Sequence, residues 1–365
     1  MRQLLCSLGI FSCMLFMVFS ALGQNGQTIV EFIPKSYIVH FAEGPILIDG
    51  SLNDKAWENA PWTDLFEDIT GYKSVAFPTR VKMLWNNDYL FIGAKLEEEN
   101  VWASIRKKDS IIYLNNDFEV FLSNSNSTRN YTEIEINALN SLLDIFIPKP
   151  YRNGGKALIS WDIKKLQSAV SIQGTLNNPK DKDSSWTVEV AIPFKSLSLW
   201  AVQFEPANNS LWRINFSRVE WDFDLKNGLY EKRKDAAGKL LPEHNFVWSP
   251  QGIVDMHFPE RWGYLSFTTD KNKTNFIIPY TELQKLKLWH IYYLEKKYYS
   301  LHKEYAKSMH RLSTKDNVLI NTKRNRIQLI ATKKQFTAII SDLENQSIYS
   351  INDAGIVENM GKPKN

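Results

Sequence analysis

An antiparallel β-sandwich of jelly-roll or immunoglobulin-like type, followed by a C-terminal helix and a small β tail, is the fold this sequence predicts. Three observations predict it. Short runs of alternating apolar residues recur from about residue 45 to 270, separated by Asn-, Asp- and Ser-rich turns. That region shows no regular series of the crossover helices a parallel sheet requires. Near residue 281 the apolar spacing changes from two to nearly four.

The chain starts with a segment read as a signal peptide, residues 1–23. Arg2 supplies the positive start, Leu4 to Phe19 the apolar run, and Ala21-Leu22-Gly23 the small residues before a cut ahead of Gln24. The run is ~16 residues, short of the roughly 20 that span a bilayer. The expected product is therefore secreted or periplasmic, with no membrane span. Cys6 and Cys13 both lie in this leader, so the mature chain has no disulfide framework and no thiolate metal site.

Residues 24–44 read as an N-terminal arm, 45–270 as the sandwich and 271–365 as a basic extension. The arm and sandwich together carry 26 Lys and Arg against 32 Asp and Glu, a net −6; the extension carries 17 against 8, a net +9. An acidic body argues against nucleic acid as a partner. The basic tail reads as a solvated helix face, or as a contact for another protein.

Within the sandwich, Thr79–Trp85 and Tyr89–Ala94 alternate around an Asn86-Asn87-Asp88 turn, a hairpin pattern. Phe118–Leu122, Tyr131–Ala138, Trp186–Ile192, Trp212–Val219 and Tyr264–Thr268 are further strands. Trp57, Trp62 and Trp186 fall in regular apolar patterns and are expected in the core. Residues 281–310 read as one long amphipathic helix through Leu283, Leu286, Trp289, Tyr293 and Tyr305. Residues 327–340 and 347–357 then read as strands around an Asp353-Ala354-Gly355 turn.

Ile48-Asp49-Gly50-Ser51-Leu52-Asn53-Asp54-Lys55-Ala56-Trp57, preceded by Pro45, matches an "I-D-G-x-L-x-D-x-x-W" opening. The hairpin 81–92, the Asn116–Phe121 strand ("D-x-E-V-F") and Trp186–Pro193 follow in order. On these blocks the chain resembles the family 9 carbohydrate-binding modules over about 45–268. Trp248–Gly252 and Met256–Gly263 are similar to the exported "family 9-like" subgroup found in polysaccharide-degrading bacteria. The resemblance implies a sandwich, calcium in some members, and a sugar held between two aromatic rings while polar side chains read its hydroxyls.

Carried over by position, the resemblance makes Tyr113 the first aromatic, six residues before the acceptor Glu119. The family's Arg on the next strand is replaced here by Glu133-Ile134-Glu135-Ile136-Asn137. There Glu135 and Asn137 share a face with Glu133 by strand alternation. The second clamp Trp is missing at its expected place, where Met256-His257 stands. Trp248, Trp262 and Trp221 are the candidates to replace it, or the clamp is lost. Arg218 and Trp221 end a strand with a donor and a flat ring, and Trp161 follows a Gly154-Gly155 loop. The expected ligand-binding set is thus Tyr113, Glu119, Glu135, Asn137, Arg218 and Trp221 around one concave surface, with an oligo- or polysaccharide as ligand. Structural readings stand beside these: a solvated carboxylate face, and an ion pair next to a packing Trp. Asn115, Asn116, Asp117, Asn124 and Asn126 could offer oxygens to calcium, or simply form turns.

No catalytic motif is present: no phosphate loop, no zinc signature, no nucleophile elbow. The expected function is non-catalytic carbohydrate binding in polysaccharide recognition and catabolism. An O-glycosyl hydrolase using Glu119 with Glu133 or Glu135 is the alternative. A haem-binding sandwich using Met83, Met256 and His257 is a lesser one.

Overall fold

The computed structural model describes residues 33–73, 75–197, 206–312 and 324–361. The leader segment 1–23 lies outside the described residues. The chain opens with β1 (Ser36–Phe41), a one-turn helix α1 (Lys55–Glu58) and β2 (Glu67–Asp68). A hairpin of β3 (Thr79–Trp85) and β4 (Tyr89–Glu97) follows. Then come β5 (Asp117–Ser123), β6 (Tyr131–Asn137), β7 (Leu142–Ile147), β8 (Gln167–Gln173) and β9 (Ser185–Pro193). The body ends with β10 (Leu211–Glu220), a small hairpin of β11 (Phe223–Lys226) and β12 (Leu229–Lys232), β13 (His244–Val247) and β14 (Gly263–Thr268).

Apart from the β11–β12 hairpin, these strands form one curled sheet ordered β7-β6-β5-β10-β14-β1-β3-β4-β9-β8, with β13 and β2 appended beside β10. The curl folds the sheet onto itself, so its two halves face each other across one core. Val81, Met83, Ile92, Val188 and Val190 from one half meet Phe118, Val120, Ile134, Phe216 and Leu265 from the other. The expected antiparallel sandwich is present, with one exception. The stretch read as an arm supplies β1, which pairs in parallel with both β14 and β3 and joins the two halves.

Two of the sequence blocks touch. Glu189 of β9 accepts hydrogen bonds from the backbone N–H of Asp49 (3.0 Å) and Gly50 (2.8 Å) and from the Trp57 indole (2.8 Å). Gly50 is required there. Its φ is +88°, and a Cβ would lie 2.6 Å from the Val170 carbonyl carbon. The "I-D-G…W" run is therefore a strap over the outside of the sheet, fastened by a buried carboxylate. Trp57 and Trp186 are buried as expected. Trp62 is half-buried, with the Arg80 guanidinium 4.5 Å and the Lys82 ammonium 4.8 Å from its ring.

The extension begins with α2 (Tyr280–His302). It is shorter than the helix expected over 281–310, because Lys303 turns left-handed (φ 58°) and donates its N–H to the Tyr299 carbonyl, closing the helix. Tyr305, expected on the helix, instead folds back so that its ring lies 4.6 Å from that of Tyr299. A four-stranded antiparallel sheet follows: β15 (Asn325–Ala331), β16 (Phe336–Asp342), β17 (Ile348–Asn352) and β18 (Val357–Asn359). It buries Phe336, Ala338, Ile340 and Ile351 against Leu288, Trp289, Ile291 and Tyr292 of α2. No helix among the described residues is long and apolar enough to cross a membrane.

Helix α2 is tied to the body by charge. The Arg213 guanidinium of β10 lies 3.1 Å from Glu282, and both side chains are buried. Asn126 also donates to Glu282 (2.9 Å). Arg152 forms a bidentate pair with Glu260 and lies 5.6 Å from the Trp289 ring, while the Tyr293 hydroxyl bonds Glu260.

Candidate functional site

Strand alternation sorts β5, β6 and β10 into two faces. Phe118, Val120 and Leu122 of β5 point into the sandwich core, as do Ile134 and Ile136 of β6 and Ile214 and Phe216 of β10. The opposite face carries Asp117, Glu119, Glu133, Glu135, Asn137 and Ser217. Register aligns them: Ser217 pairs with Glu119, Glu119 with Glu135, and Asp117 with Asn137. This second face is not bare. Phe121, Tyr131, Ile145, Val247, Met256 and Trp262 form an apolar cluster on it. The turns Ile112–Leu114 and Tyr151–Asn153 fold in beside the acids.

The result is a buried acidic patch. One carboxylate oxygen each from Asp117, Glu119 and Glu135 lie within 4.8 Å of one another. Asp117 is 0% exposed; neither oxygen makes a hydrogen bond of ordinary geometry, and the nearby Val219 N–H offsets its burial only in part. Glu133 has one such orphaned oxygen, which lies 4.0 Å from Nε2 of His257. Glu135 accepts the backbone N–H of Tyr113 at 2.8 Å. Burial first, and the neighbouring carboxylates second, push Asp117, Glu119 and Glu133 upward from the ordinary carboxylate range. For Glu135 burial outweighs the N–H bonds that pull the other way. His257 is held neutral, its pKa pushed down to about 3 by burial and by the charge of Arg152, while its Nδ1 lies 2.9 Å from the Tyr131 hydroxyl.

Two phenols flank the patch. Tyr113 is half-buried, and Tyr151 is 39% exposed. After burial, Glu135 is the largest influence raising the Tyr113 pKa, and Glu133 and Glu135 are the largest raising that of Tyr151. Tyr113 also contributes to the Tyr151 shift, so the two phenols share one acidic neighbourhood.

The structure therefore brings Tyr113, Glu119 and Glu135 together and treats the other three expected residues differently. Asn137 is on the same face, but its side chain is spent locally: it donates to the Ile105 carbonyl and accepts from the Leu139 and Ser141 N–H groups. Arg218 does not share the surface. It points to the opposite side of β10, where its guanidinium is buried between Glu98 (2.6 Å) and Glu220 (2.9 Å) and donates to Thr79 and the Glu97 carbonyl. Trp221 is 7% exposed, and its indole donates to the Tyr113 carbonyl at 2.8 Å, so it supports Tyr113 from beneath. Trp248 and Trp262, at 1% and 0% exposed, offer no surface ring either. Trp161 is half-buried against Phe146.

Sequence reasoning missed Tyr151 and the part played by Asp117. Tyr151 sits in a Pro-Tyr-Arg-Asn-Gly-Gly turn with no strand pattern, and only folding brings it beside Tyr113. Four of the residues weighed as calcium ligands are used otherwise. Asn115 accepts from Ser104 and Ile105, Asn116 bridges Glu220 and Trp221, Asn124 donates to Leu197, and Asn126 to Glu282. The haem set is not assembled: Met83 is in the sandwich core, while Met256 packs in the cluster on the outer face.

The described residues form a curled β-sandwich with buried carboxylates on the outer face of one half and two phenols, one half-buried and one exposed, in their electrostatic neighbourhood. Residues 48–234 match the carbohydrate family 9 binding domain-like family, and the chain belongs to that family. Among solved structures it is similar to a family 9 carbohydrate-binding module from Caldicellulosiruptor kristjanssonii in complex with cellotriose. That likeness has 14% identity and a TM-score of 0.42, covering 67% of this chain and 100% of the other. The glucose complex of a Caldicellulosiruptor kristjanssonii module gives 15% identity and a TM-score of 0.41, covering 66% and 100%. A Bacteroides uniformis protein thought to bind carbohydrate gives 17% and 0.48, covering 64% and 99%. No curated protein matches the chain.

Proposed function

We propose that this chain is an exported, non-catalytic carbohydrate-binding protein of polysaccharide recognition and catabolism, and that the sugar enters between Tyr113 and Tyr151. The observation that carries the reading is the family match over residues 48–234, with two phenols, half-buried Tyr113 and exposed Tyr151, in the electrostatic neighbourhood of Glu133 and Glu135. Pyranose C–H faces are apolar and stack on rings, while their hydroxyls need acceptors and donors once water is removed. Carboxyl groups that hold protons near neutrality can do both. Trp221 keeps Tyr113 in place by fixing its backbone carbonyl.

Export rests on the leader-like segment 1–23, and intact mass of the exported protein tests it: retention of that segment overturns it. A glycan array with the mature chain, followed by calorimetry on the strongest ligand, tests binding. Absence of any glycan signal overturns it. Release of reducing sugar from the bound glycan, lost in Glu119→Gln, would overturn the non-catalytic part.

A further inference from the structure

We propose that the C-terminal extension is a positioning element for the sugar-binding face: through Arg152 and Asn153 it sets where Tyr151 stands, and so tunes affinity without touching the sugar. The proposal rests on the reading that the sugar meets Tyr151. It concerns residues outside the family match, which ends at residue 234, whereas α2 and the turn between β17 and β18 lie beyond it. Tyr151 needs support from outside its own segment. It lies in the connection from β7 to β8, residues 148–166, which holds one short turn and no strand. The hydrogen bonds of that turn are local: Asn153 and Gly155 donate their N–H groups to the Pro150 carbonyl, and Gly154 to that of Tyr151. A connection of this length is ordered by what it packs against.

Two contacts from the extension supply that packing. The first runs through α2. The Tyr293 hydroxyl donates to Glu260, which is 1% exposed, and Glu260 accepts the Arg152 guanidinium at 2.8 and 2.9 Å. That guanidinium lies 4.2 Å from the Phe258 ring and 5.6 Å from the Trp289 ring, and it donates to the His257 carbonyl. Tyr151 packs on the His257 ring, edge to face with centroids 4.3 Å apart. Arg152 therefore adjoins Tyr151 in the chain and also holds the residue its ring rests on. The second contact is turn against turn. The Asn153 side-chain amide donates to the Ala354 carbonyl, between β17 and β18. Gly355 makes this approach possible. Its φ is +67°, and a Cβ there would lie 2.9 Å from Asn153 Nδ2 and 3.1 Å from the Trp289 ring.

The consequence for binding is preorganisation. A ring on an unsupported loop loses conformational freedom when it meets a ligand, and a ring already held loses less, so the difference appears as affinity. Releasing either contact should weaken binding only through Tyr151. That separates positioning from general stabilisation, because a change that acts through one ring has no further effect once the ring is gone.

The test changes the extension and reads the body, in the full mature chain. Tyr293→Phe removes the hydroxyl that holds Glu260, and Gly355→Ala pushes on Asn153 and Trp289. If Gly355→Ala fails to fold, Asn153→Ala breaks the same contact from the other side. Without sugar, amide hydrogen exchange over residues 151–155 should quicken about threefold to tenfold, the worth of one hydrogen bond. The probe for binding is a glycan array, with dissociation constants from a dilution series at the spot wild type binds most strongly. Each variant should weaken that binding about threefold or more. In the Tyr151→Ala background the same changes should leave affinity unaltered, and in Tyr113→Ala they should act in full. Unchanged exchange in the folded variants overturns the positioning role. Equal losses of affinity in the wild-type and Tyr151→Ala backgrounds would mean general loosening, and overturn it too. If no spot binds, or if Tyr151→Ala alone leaves affinity unchanged, the reading of the site falls and the tuning of affinity with it, while faster exchange would still show that the extension holds the turn.

Discussion

Glu119 and Glu135 face each other directly across β5 and β6, and each has a carboxylate oxygen within 4.8 Å of the other and of Asp117. Such a pair does not carry two full negative charges in a dry site. Every functional statement about this face depends on how that charge is settled, by protons or by a ligand's hydroxyls.

Stability should therefore fall with rising pH. Burial first, and mutual repulsion second, raise Glu119 from 4.5 to about 8. Burial also raises Glu135 from 4.5 to about 7. A carboxyl whose folded pKa is raised binds its proton more tightly folded than unfolded. Its contribution is complete below the unfolded value and is lost as pH climbs through the folded one. His257 acts in the opposite sense, since its folded pKa is depressed from 6.5 and stability falls as pH drops below that value. The readout is thus a comparison. Wild type should lose Tm between about pH 5 and pH 8 relative to Glu119→Gln. Parallel curves for the two proteins would contradict the protonated cluster.

Aromatic truncation should separate affinity from folding. Tyr113→Ala and Tyr151→Ala should each weaken glycan binding about tenfold, the effect of roughly 1.4 kcal/mol per stacking ring. Circular dichroism should be unchanged for Tyr151→Ala, whose ring is 39% exposed. Unchanged affinity in both folded variants would place the sugar on another surface.

The strap over the sheet offers a purely structural prediction. Glu189→Ala removes the acceptor for the N–H groups of Asp49, Gly50 and Trp57. Leaving buried donors unpaired costs about 1–3 kcal/mol each, so a loss on the order of 3 kcal/mol is expected in denaturant unfolding. A loss below about 1 kcal/mol would show that water or a local shift satisfies the strap.

The extension should matter to the body through one ion pair. Glu282→Ala leaves the Arg213 guanidinium buried without its carboxylate, and breaking a buried pair from one side costs about 3–5 kcal/mol. A chain ending near residue 272 loses the same partner. Its sandwich should unfold at lower denaturant than the full chain, and Arg213→Met in that shortened chain should recover part of the difference. Equal midpoints for the full and shortened chains would show that the sandwich does not need α2.

Much of this protein is legible in its residues taken in order. Alternation around Asn-rich turns marks β3 to β6 because a two-residue side-chain period and local turn chemistry are properties of short segments. The "I-D-G…W" and "W-T-V-E-V" blocks carry the family resemblance, and in the fold Glu189 of the second fastens the first. Alternation also placed Glu133, Glu135 and Asn137 on one face correctly. Sequence could not say that this face is covered, because much of the cover comes from the turn at 151–153 and the Met256–Trp262 segment, both remote in the chain from β5. Nor could it divide Arg218 from Glu119: one lies on β10 and the other on β5, and only the register Arg218–Phe118, Ser217–Glu119 assigns them to opposite sides. The same holds for the C-terminal helix. Its apolar spacing continues to Tyr305, and the left-handed turn at Lys303 that folds Tyr305 back is fixed by packing against Tyr299 and Phe336. Local pattern determined which segments are strands and which faces are polar. Long-range pairing alone decided which polar face is buried, and therefore where four carboxylates must share their charge.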